Sequence, residues 1–245
     1  MLFDAHCHLD MYKNPETNIR KSQKQNIFIV GMTLKPSHFK MILPFLYNYK
    51  NIRFALGMHP LFAHEHSSFE LDLFKDYINK TSYIGEIGLD FSKTGAKTRD
   101  IQISCFQTIL ELLQDKKKFV SLHSRKAEKE VLFMLNENNI QKAIFHWFTG
   151  SKKILEEIIE RGHYFSINHA MAKTKSGRNL IKAIPIERVL TETDGPYQKY
   201  NGKDITPIDV GFLYEELEEI YQVPREKIER IIMSNFLRII SDKIV

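Results

Sequence analysis

The chain has 245 residues, 43% of them hydrophobic and 27% charged, which is enough apolar surface for a full core and excludes a disordered segment. A formal net charge of +5 suits a protein that meets polyanions but is too mild to require one. Cys7 and Cys105 lack paired or C-x-x-C spacing, so they indicate neither a disulfide framework nor a structural zinc site, and without an apolar stretch near 18 residues or a basic leader the sequence predicts a cytoplasmic protein with no membrane segment.

Short apolar runs alternate with longer amphipathic ones. The first run, 2–6, leads into His6-Cys7-His8. Residues i and i+2 of a strand share a face, so the two histidines project side by side and Cys7 turns toward packing helices as a small buried hydrophobe. Two neutral imidazoles held that way make half of a metal site. A helix over 15–24, a strand over 27–32 and a helix over 37–49, entered through Lys35-Pro36-Ser37, come next. The strand 53–58 runs into His59 and is followed by a helix over 69–79. The strand 83–89 carries Glu86 within Gly85-Glu86-Ile87-Gly88-Leu89-Asp90. In the helix 98–117, Ile103, Phe106, Ile109, Leu110 and Leu113 fall on one stripe. The strand 119–123 ends in His123, a helix covers 125–139, and the strand 143–147 carries His146. Thr149-Gly150-Ser151 opens a helix over 151–161; strand 164–168, helix 177–184 and strand 188–193 follow, the last meeting Asp194. Helices over 206–221 and 225–241 complete the pattern.

Eight strand-helix alternations predict a TIM-like (β/α)8 barrel, which typically takes about 250 residues, and here one domain over 1–245. An open doubly wound sheet needs a Gly-rich phosphate loop after its first strand, and His6-Cys7-His8-Leu9-Asp10 is not one. Active sites of such barrels form at the C-terminal ends of the strands. His6, His8, His59, Glu86, His123, His146 and Asp194 all fall at or near that end. Any one of them is more often structural, but chance does not readily spread the whole set over six strands. Four histidines with two carboxylates suffice for two divalent ions, with Glu86 as the natural bridge. Two such ions clamp the attacking and leaving oxygens of a phosphoryl displacement. Asp194 is placed to ligate one ion and to act as general base.

The runs His6-Cys7-His8-Leu9-Asp10, Gly57-Met58-His59-Pro60, Gly85-Glu86-Ile87-Gly88-Leu89-Asp90, His123-Ser124-Arg125, His146-Trp147-Phe148-Thr149-Gly150 and Glu192-Thr193-Asp194-Gly195-Pro196-Tyr197 resemble those of the TatD family, in the family's order. The resemblance implies a barrel-fold, metal-dependent deoxyribonuclease with 3′-to-5′ exonuclease activity. It implies that His6, His8, Glu86 and Asp194 hold one ion, that Glu86, His123 and His146 hold the other, and that His59 and Arg125 lie where the scissile phosphate binds. A guanidinium suits that role through its bidentate fork. Imidazole-rich ligation predicts Zn, Mn or Co over Mg, whereas the resemblance implies that Mg supports activity.

Four departures bear on substrate recognition. Gly195 stands where the family usually has serine, Trp147 where it has Cys or Ser, Lys116-Lys117-Lys118 where it has a Gly-Leu-Pro-like turn, and the segment 198–208 replaces an Arg-Asn-Glu-Pro-like stretch. This divergent pattern resembles the TatD-like subunits, QatD among them, of bacterial antiphage operons, which implies protein partners in a defence complex.

Smaller features carry two readings each. Lys116–Lys118 reads as a solvated helix end across the barrel from the site, or as a phosphate contact. Lys173, Lys175 and Arg178 lie on the active-site face, for nucleic acid or for solvent. Trp147, Tyr197 and Phe91 read as stacking platforms for an unpaired base or as packing beneath the ligands. Asp4 reads as the orienter of a ligand imidazole or as a core hydrogen-bonding group. His64, His66, His163 and His169 receive no role.

DNA ends or short single strands are therefore the expected substrate. One rival is an amidohydrolase-type hydrolase of a small molecule or modified nucleotide; such barrels often bridge their metals with a modified lysine, where this chain has Glu86. The other is a non-cleaving accessory subunit that binds nucleic acid or a protein partner.

Overall fold

A computed structural model describes residues 1–45, 48–200 and 202–241. Eight parallel strands follow chain order: β1 (Leu2–Cys7), β2 (Ile27–Gly31), β3 (Ile52–Phe54), β4 (Tyr83–Gly88), β5 (Phe119–His123), β6 (Ile144–His146), β7 (Tyr164–Ile167) and β8 (Val189–Thr191). They form one sheet of β1-β2-β3 and another of β4 through β8. At the first seam Leu56 bridges to Ile84, with Leu56 N donating to the Tyr83 carbonyl at 3.0 Å and Gly85 N to that of Leu56 at 2.9 Å. At the second, Asp194 N donates to the His6 carbonyl at 2.9 Å and His8 N to that of Gly195 at 2.8 Å. The strands thus follow one another as in the TIM-like (β/α)8 fold. Strands buried on both faces read as near-continuous apolar runs, as in Ile27-Phe28-Ile29-Val30, and this makes them legible.

The helices between them are α1 (Pro15–Lys24), α2 (Pro36–Ile42), α3 (Ser68–Tyr77), α4 (Arg99–Leu113), α5 (Glu128–Glu137), α6 (Lys152–Glu160), α7 (His169–Lys173) and α8 (Lys175–Ala183). Ser151 caps α6 by accepting from Ile154 N, and the stripe on α4 turns Phe106, Ile109, Leu110 and Leu113 into the core. Helix α4 stops four residues short of the predicted 117, because Gln114 leaves the helical region and Asp115 adopts a left-handed φ of 59°. Lys116–Lys118 instead lead into the N-terminal end of β5, where Lys118 Nζ donates to the Thr81 carbonyl at 2.7 Å. The predicted helix 37–49 ends at Ile42 and tightens into a 3-10 turn, Leu43–Phe45, around Pro44; Leu46 and Tyr47 lie outside the described residues. The sequence pattern missed α7 and a hairpin, β9 (Lys199–Tyr200) with β10 (Lys203–Asp204), between β8 and the closing helices α9 (Val210–Tyr221) and α10 (Arg225–Ile240).

Helix α10 leaves one end of the strands free for chemistry by covering the other. Phe236 packs on Phe3 (ring centroids 4.6 Å apart), Phe28 (5.2 Å) and Phe119 (6.0 Å), all at the N-terminal ends of their strands. Asn235 Nδ2 pins the helix by donating to the carbonyls of Ile186 and Val189, each at 2.8 Å.

His163, buried between α6 and β7, accepts a hydrogen bond from Ala143 N at 3.2 Å through Nδ1, which requires that nitrogen to be unprotonated. Burial, helped by Arg188 and Arg161, lowers its pKa from 6.5 to about 4. Its contribution to stability is complete above pH 6.5 and declines as pH falls toward 4, because the unfolded chain then takes up a proton that the folded chain refuses. That loss amounts to roughly 3 kcal/mol across the window. Urea unfolding of wild type and His163→Gln from neutral to mildly acid pH checks it: the variant should lose the part of the pH dependence within this window. Parallel curves would assign the dependence to other groups.

Candidate metal centre

Strand β4 is buried along its whole length, and its backbone lies against β5: a Cβ at Gly88 would stand 2.0 Å from the His123 carbonyl oxygen. This close approach sets Glu86 among imidazoles delivered by several strand ends. Its Oε1 lies 2.6 Å from His123 Nδ1 and 3.1 Å from His146 Nε2. Its Oε2 lies 3.2 Å from His8 Nε2 and 3.3 Å from both His6 Nε2 and His59 Nε2. Asp194 Oδ1 stands 3.7 Å from both His6 Nε2 and His8 Nε2, which are themselves 3.3 Å apart. The two histidines of β1 thus share a face, as their spacing requires.

The inward nitrogens of His6, His59, His123 and His146 are aimed by what the other nitrogen of the ring meets, whereas His8 Nδ1 has no hydrogen-bond partner among the described residues. His6 Nδ1 is hydrogen-bonded to Ser121 Oγ at 2.8 Å, and Leu61 N donates to His59 Nδ1 at 3.1 Å. His123 Nε2 faces Asp90 Oδ2 at 2.8 Å, and the other oxygen of Asp90 accepts from Ser92 N, also at 2.8 Å. His146 Nδ1 faces Glu192 Oε1 at 3.3 Å; Glu192 in turn accepts from the Ser166 hydroxyl and from Asn168 Nδ2. Such partners fix tautomer and ring orientation in metal sites. Asp4 takes the second of its two readings. It accepts from His6 N, Thr193 N and Thr193 Oγ1 and touches no imidazole, so it braces β1 against the end of β8. Burial pushes its carboxyl up to about 8.

Burial opposes charge throughout the cluster, and the pairings decide where charge survives. Glu86 is held well below the usual carboxylate range because His59, His146, His6 and His123 outweigh its burial. Burial likewise disfavours the His146 cation, yet Glu192 and Glu86 raise its pKa well above the usual. His6, where burial prevails, falls to about 4. Burial pushes Asp194 upward.

The donor set fits divalent cations. Among the described residues, three groups of possible ligand atoms lie close enough to hold an ion: His6, His8 and Glu86; His59, Glu86 and His123; and His6, His146 and Glu192. The Nε2 atoms of His6 and His8 converge on one carboxylate oxygen, so that one shared proton cannot satisfy all the lone pairs there, whereas a cation can. Imidazole with carboxylate suits Zn and Mn.

The structure brings His6, His8, Glu86, His123, His146 and Asp194 together, and it places His59 inside the same cluster, within reach of Glu86. Arg125 is exposed two residues beyond His123, without a side-chain ion pair among the described residues. Tyr197 is 53% exposed and meets the His8 ring edge-on, with centroids 4.9 Å apart. Trp147 and Asp194, just past the ends of β6 and β8, adopt left-handed φ values of 40° and 51°. Phe91 lies under the Arg99 guanidinium at 4.2 Å. Lys173 and Arg178 are taken by Glu216, at 3.0 and 2.8 Å. Gly195 has a packing reason: a Cβ there would lie 2.0 Å from the Tyr12 hydroxyl, which donates to the Ile205 carbonyl at 2.6 Å. Tyr12 thus fills the space a serine side chain would need. Glu192 and Asp90 were not singled out from the sequence. The available signal was spacing, since Glu192 precedes Asp194 by two residues.

Sequence and fold comparisons agree with this geometry. A model of the family described as TatD related DNase matches residues 3–241. An uncharacterized metal-dependent hydrolase of Buchnera aphidicola is 30% identical, over 96% of this chain and 97% of that protein. A deoxyribonuclease of Homo sapiens is 24% identical, over 97% of this chain and 94% of that one. The crystal structure of a TatD homolog from Escherichia coli superposes with a TM-score of 0.89 at 22% identity, covering 98% of this chain and 97% of that one. With its family model spanning nearly every residue and its buried His and Glu side chains gathered at the strand ends, the chain belongs to the TatD-related DNases, a family of metal-dependent hydrolases.

Proposed function

We propose that this chain, as one TatD-like barrel over residues 1–245, is a two-metal phosphodiesterase that removes nucleotides from DNA in the 3′-to-5′ direction. His6, His8, Glu86 and Asp194 would hold one ion, and Glu86, His123 and His146 the other. The observation that carries this reading is the division of Glu86: Oε1 faces His123 and His146, while Oε2 faces His6 and His8. When bound, divalent cations such as Mg, Mn or Zn supply Lewis acidity toward phosphoryl oxygens and make water a nucleophile at neutral pH.

The chain's own groups supply the remainder. The Asp194 carboxylate, whose proton affinity burial raises, accepts the proton of the attacking water. Arg125, on the exposed rim, offers its fork to the phosphate oxygens, with His59 and Tyr197 bordering the same phosphate. The setting we propose is a cytoplasmic antiphage system of the QatD-like branch with protein partners. Gly195 and the altered 198–208 segment support it.

Digestion of 5′-labelled single- and double-stranded DNA with Mg, Mn or Zn tests the reading. A ladder shortening from the 3′ end, abolished by chelator, is expected. Early release of a labelled mononucleotide would reverse the polarity. Intact DNA in every metal, with ions bound to the protein, would defeat the phosphodiesterase reading itself.

A further inference from the structure

Beside the metal cluster, the segments that follow β6, β7 and β8 enclose a cleft of about 540 Å³ lined by Trp147, His169, Lys173, Tyr197, Gln198 and Tyr200, among others. That volume lies in the range of pockets that enclose small ligands, roughly 300–1,000 Å³. The cleft starts where the cluster stops: Trp147 follows His146 directly, and Tyr197 meets the His8 ring.

Its polar lining is unfinished. His169 is only 6% exposed, and neither Nδ1 nor Nε2 has a hydrogen-bond partner among the described residues. Gln198, also 6% exposed, uses Oε1 to accept from Ala170 N at 3.2 Å and leaves Nε2 without a partner. Buried polar groups are rarely left this way, because each costs a lost hydrogen bond. Burial, with Lys173 nearby, lowers the His169 pKa, so the ring is neutral and offers one donor and one acceptor. The amide of Gln198 adds a donor.

The inner part of the cleft suits a neutral group, and Lys199, its free cation among the described residues, stands at the exposed edge. Lys173, which lines it, is paired with Glu216 at 3.0 Å, and Arg178 behind it is paired with the same carboxylate. What remains is aromatic: Trp147, the half-exposed Tyr197, and Tyr200, held between His169 (centroids 4.4 Å apart) and Phe212 (5.1 Å). Flat aromatic faces above a floor of short-range donors and acceptors match a heterocyclic ring, and exposed Lys199 supplies a cation for an adjoining phosphate.

We propose that this cleft receives an unpaired nucleobase of the bound strand, stacked on Trp147 and Tyr197 and read at its edge by Gln198 and His169. The inference rests on the phosphodiesterase reading for the source of the strand, but the capacity for a base stands on the cleft alone.

Trp147 is the single tryptophan of the chain, so its emission reports occupancy of the cleft directly. The metal-loaded protein is titrated with a four-nucleotide single strand carrying hydrolysis-resistant phosphorothioate linkages, and with an abasic strand of the same length and charge. The base-bearing strand should quench Trp147 and bind about tenfold more tightly than the abasic one. Gln198→Ala and His169→Ala should each reduce that difference by about threefold, the stacking on Trp147 and Tyr197 keeping the remainder, while leaving abasic binding unchanged. Equal affinities for the two strands, or emission unaffected by the base-bearing strand, would overturn the base pocket in the wild-type protein alone, before any variant is made. Quenching and preferential binding by a protein that shortens no DNA in any metal would uphold the pocket and remove the phosphodiesterase reading.

Discussion

Replacing Glu86 by alanine should lower DNA hydrolysis by at least about a thousandfold, well beyond the roughly 10- to 100-fold effects of removing partners that only orient a metal ligand. The reason is its position as the shared anion. Its two oxygens lie within 3.3 Å of imidazole nitrogens from His6, His8, His59, His123 and His146. Alanine deletes the negative charge that lets cations gather there and the carboxylate that faces both proposed ion sites at once. The histidines, left buried without their counter-charge, would lose proton affinity, and a divalent ion among them would meet neutral imidazoles without the central anionic ligand. Glu86→Gln separates charge from volume: an amide keeps one acceptor oxygen, so it should hold one ion better than the other and still fail as a bridge. Metal content after dialysis, measured beside the rate, should fall from two ions per chain toward one or none. Near-normal turnover with full metal content in Glu86→Ala would remove the shared-carboxylate assignment, and a folded variant by circular dichroism would show that the loss is chemical.

Much of this site was legible because its residue types are conspicuous where they occur. One histidine or carboxylate near the end of a buried apolar strand is more often structural, but His6, His8, Glu86, His123, His146 and Asp194 repeat the pattern along the chain, and the repetition is what stands out. The strands were legible as apolar runs: 119–123 is apolar but for Ser121 up to His123 and pairs over that span. Legibility failed where the deciding partner comes from another part of the fold. Asp4 shares a strand face with His6, so spacing alone leaves it free to meet the imidazole; the Thr193 backbone and hydroxyl, brought alongside only when β8 meets β1, claim it instead. Gly195 reads as a missing hydroxyl until Tyr12 is seen to occupy the space. Helix ends failed locally: Asp tolerates the left-handed region better than most residues, but Gln114-Asp115 carries no glycine or proline to mark the stop, and the turn at Asp115 depends on the neighbouring structure. His169 and Gln198 fit no periodic pattern, and their unpaired nitrogens are a property of the cleft around them.

Gly88→Ala should be among the most damaging substitutions that leave every proposed ligand side chain in place. Gly88 has φ +133°, which a side chain rarely adopts, and its added Cβ would meet the His123 carbonyl oxygen at 2.0 Å and the carbonyl carbon at 3.0 Å. Those atoms are backbone of β5, held by Leu89 N donating to the same carbonyl at 3.0 Å, so they cannot swing aside as a side-chain tip does. The clash and the dihedral strain together should cost roughly 3–5 kcal/mol. Relief would come from parting β4 and β5 where Glu86 meets His123 at 2.6 Å, so activity should fall further than stability alone explains. Gly162→Ala is the control. Its φ of +81° is also unfavourable, but the nearest atom, Arg188 Nη2, is 4.0 Å away, so only the conformational cost of about 1 kcal/mol applies. Urea denaturation of both variants, with DNA hydrolysis measured under conditions where each is folded, separates the two contributions. Equal destabilisation of the two would show that β4 and β5 can part without penalty, and the tight approach of these strands would then not be what holds Glu86 against His123.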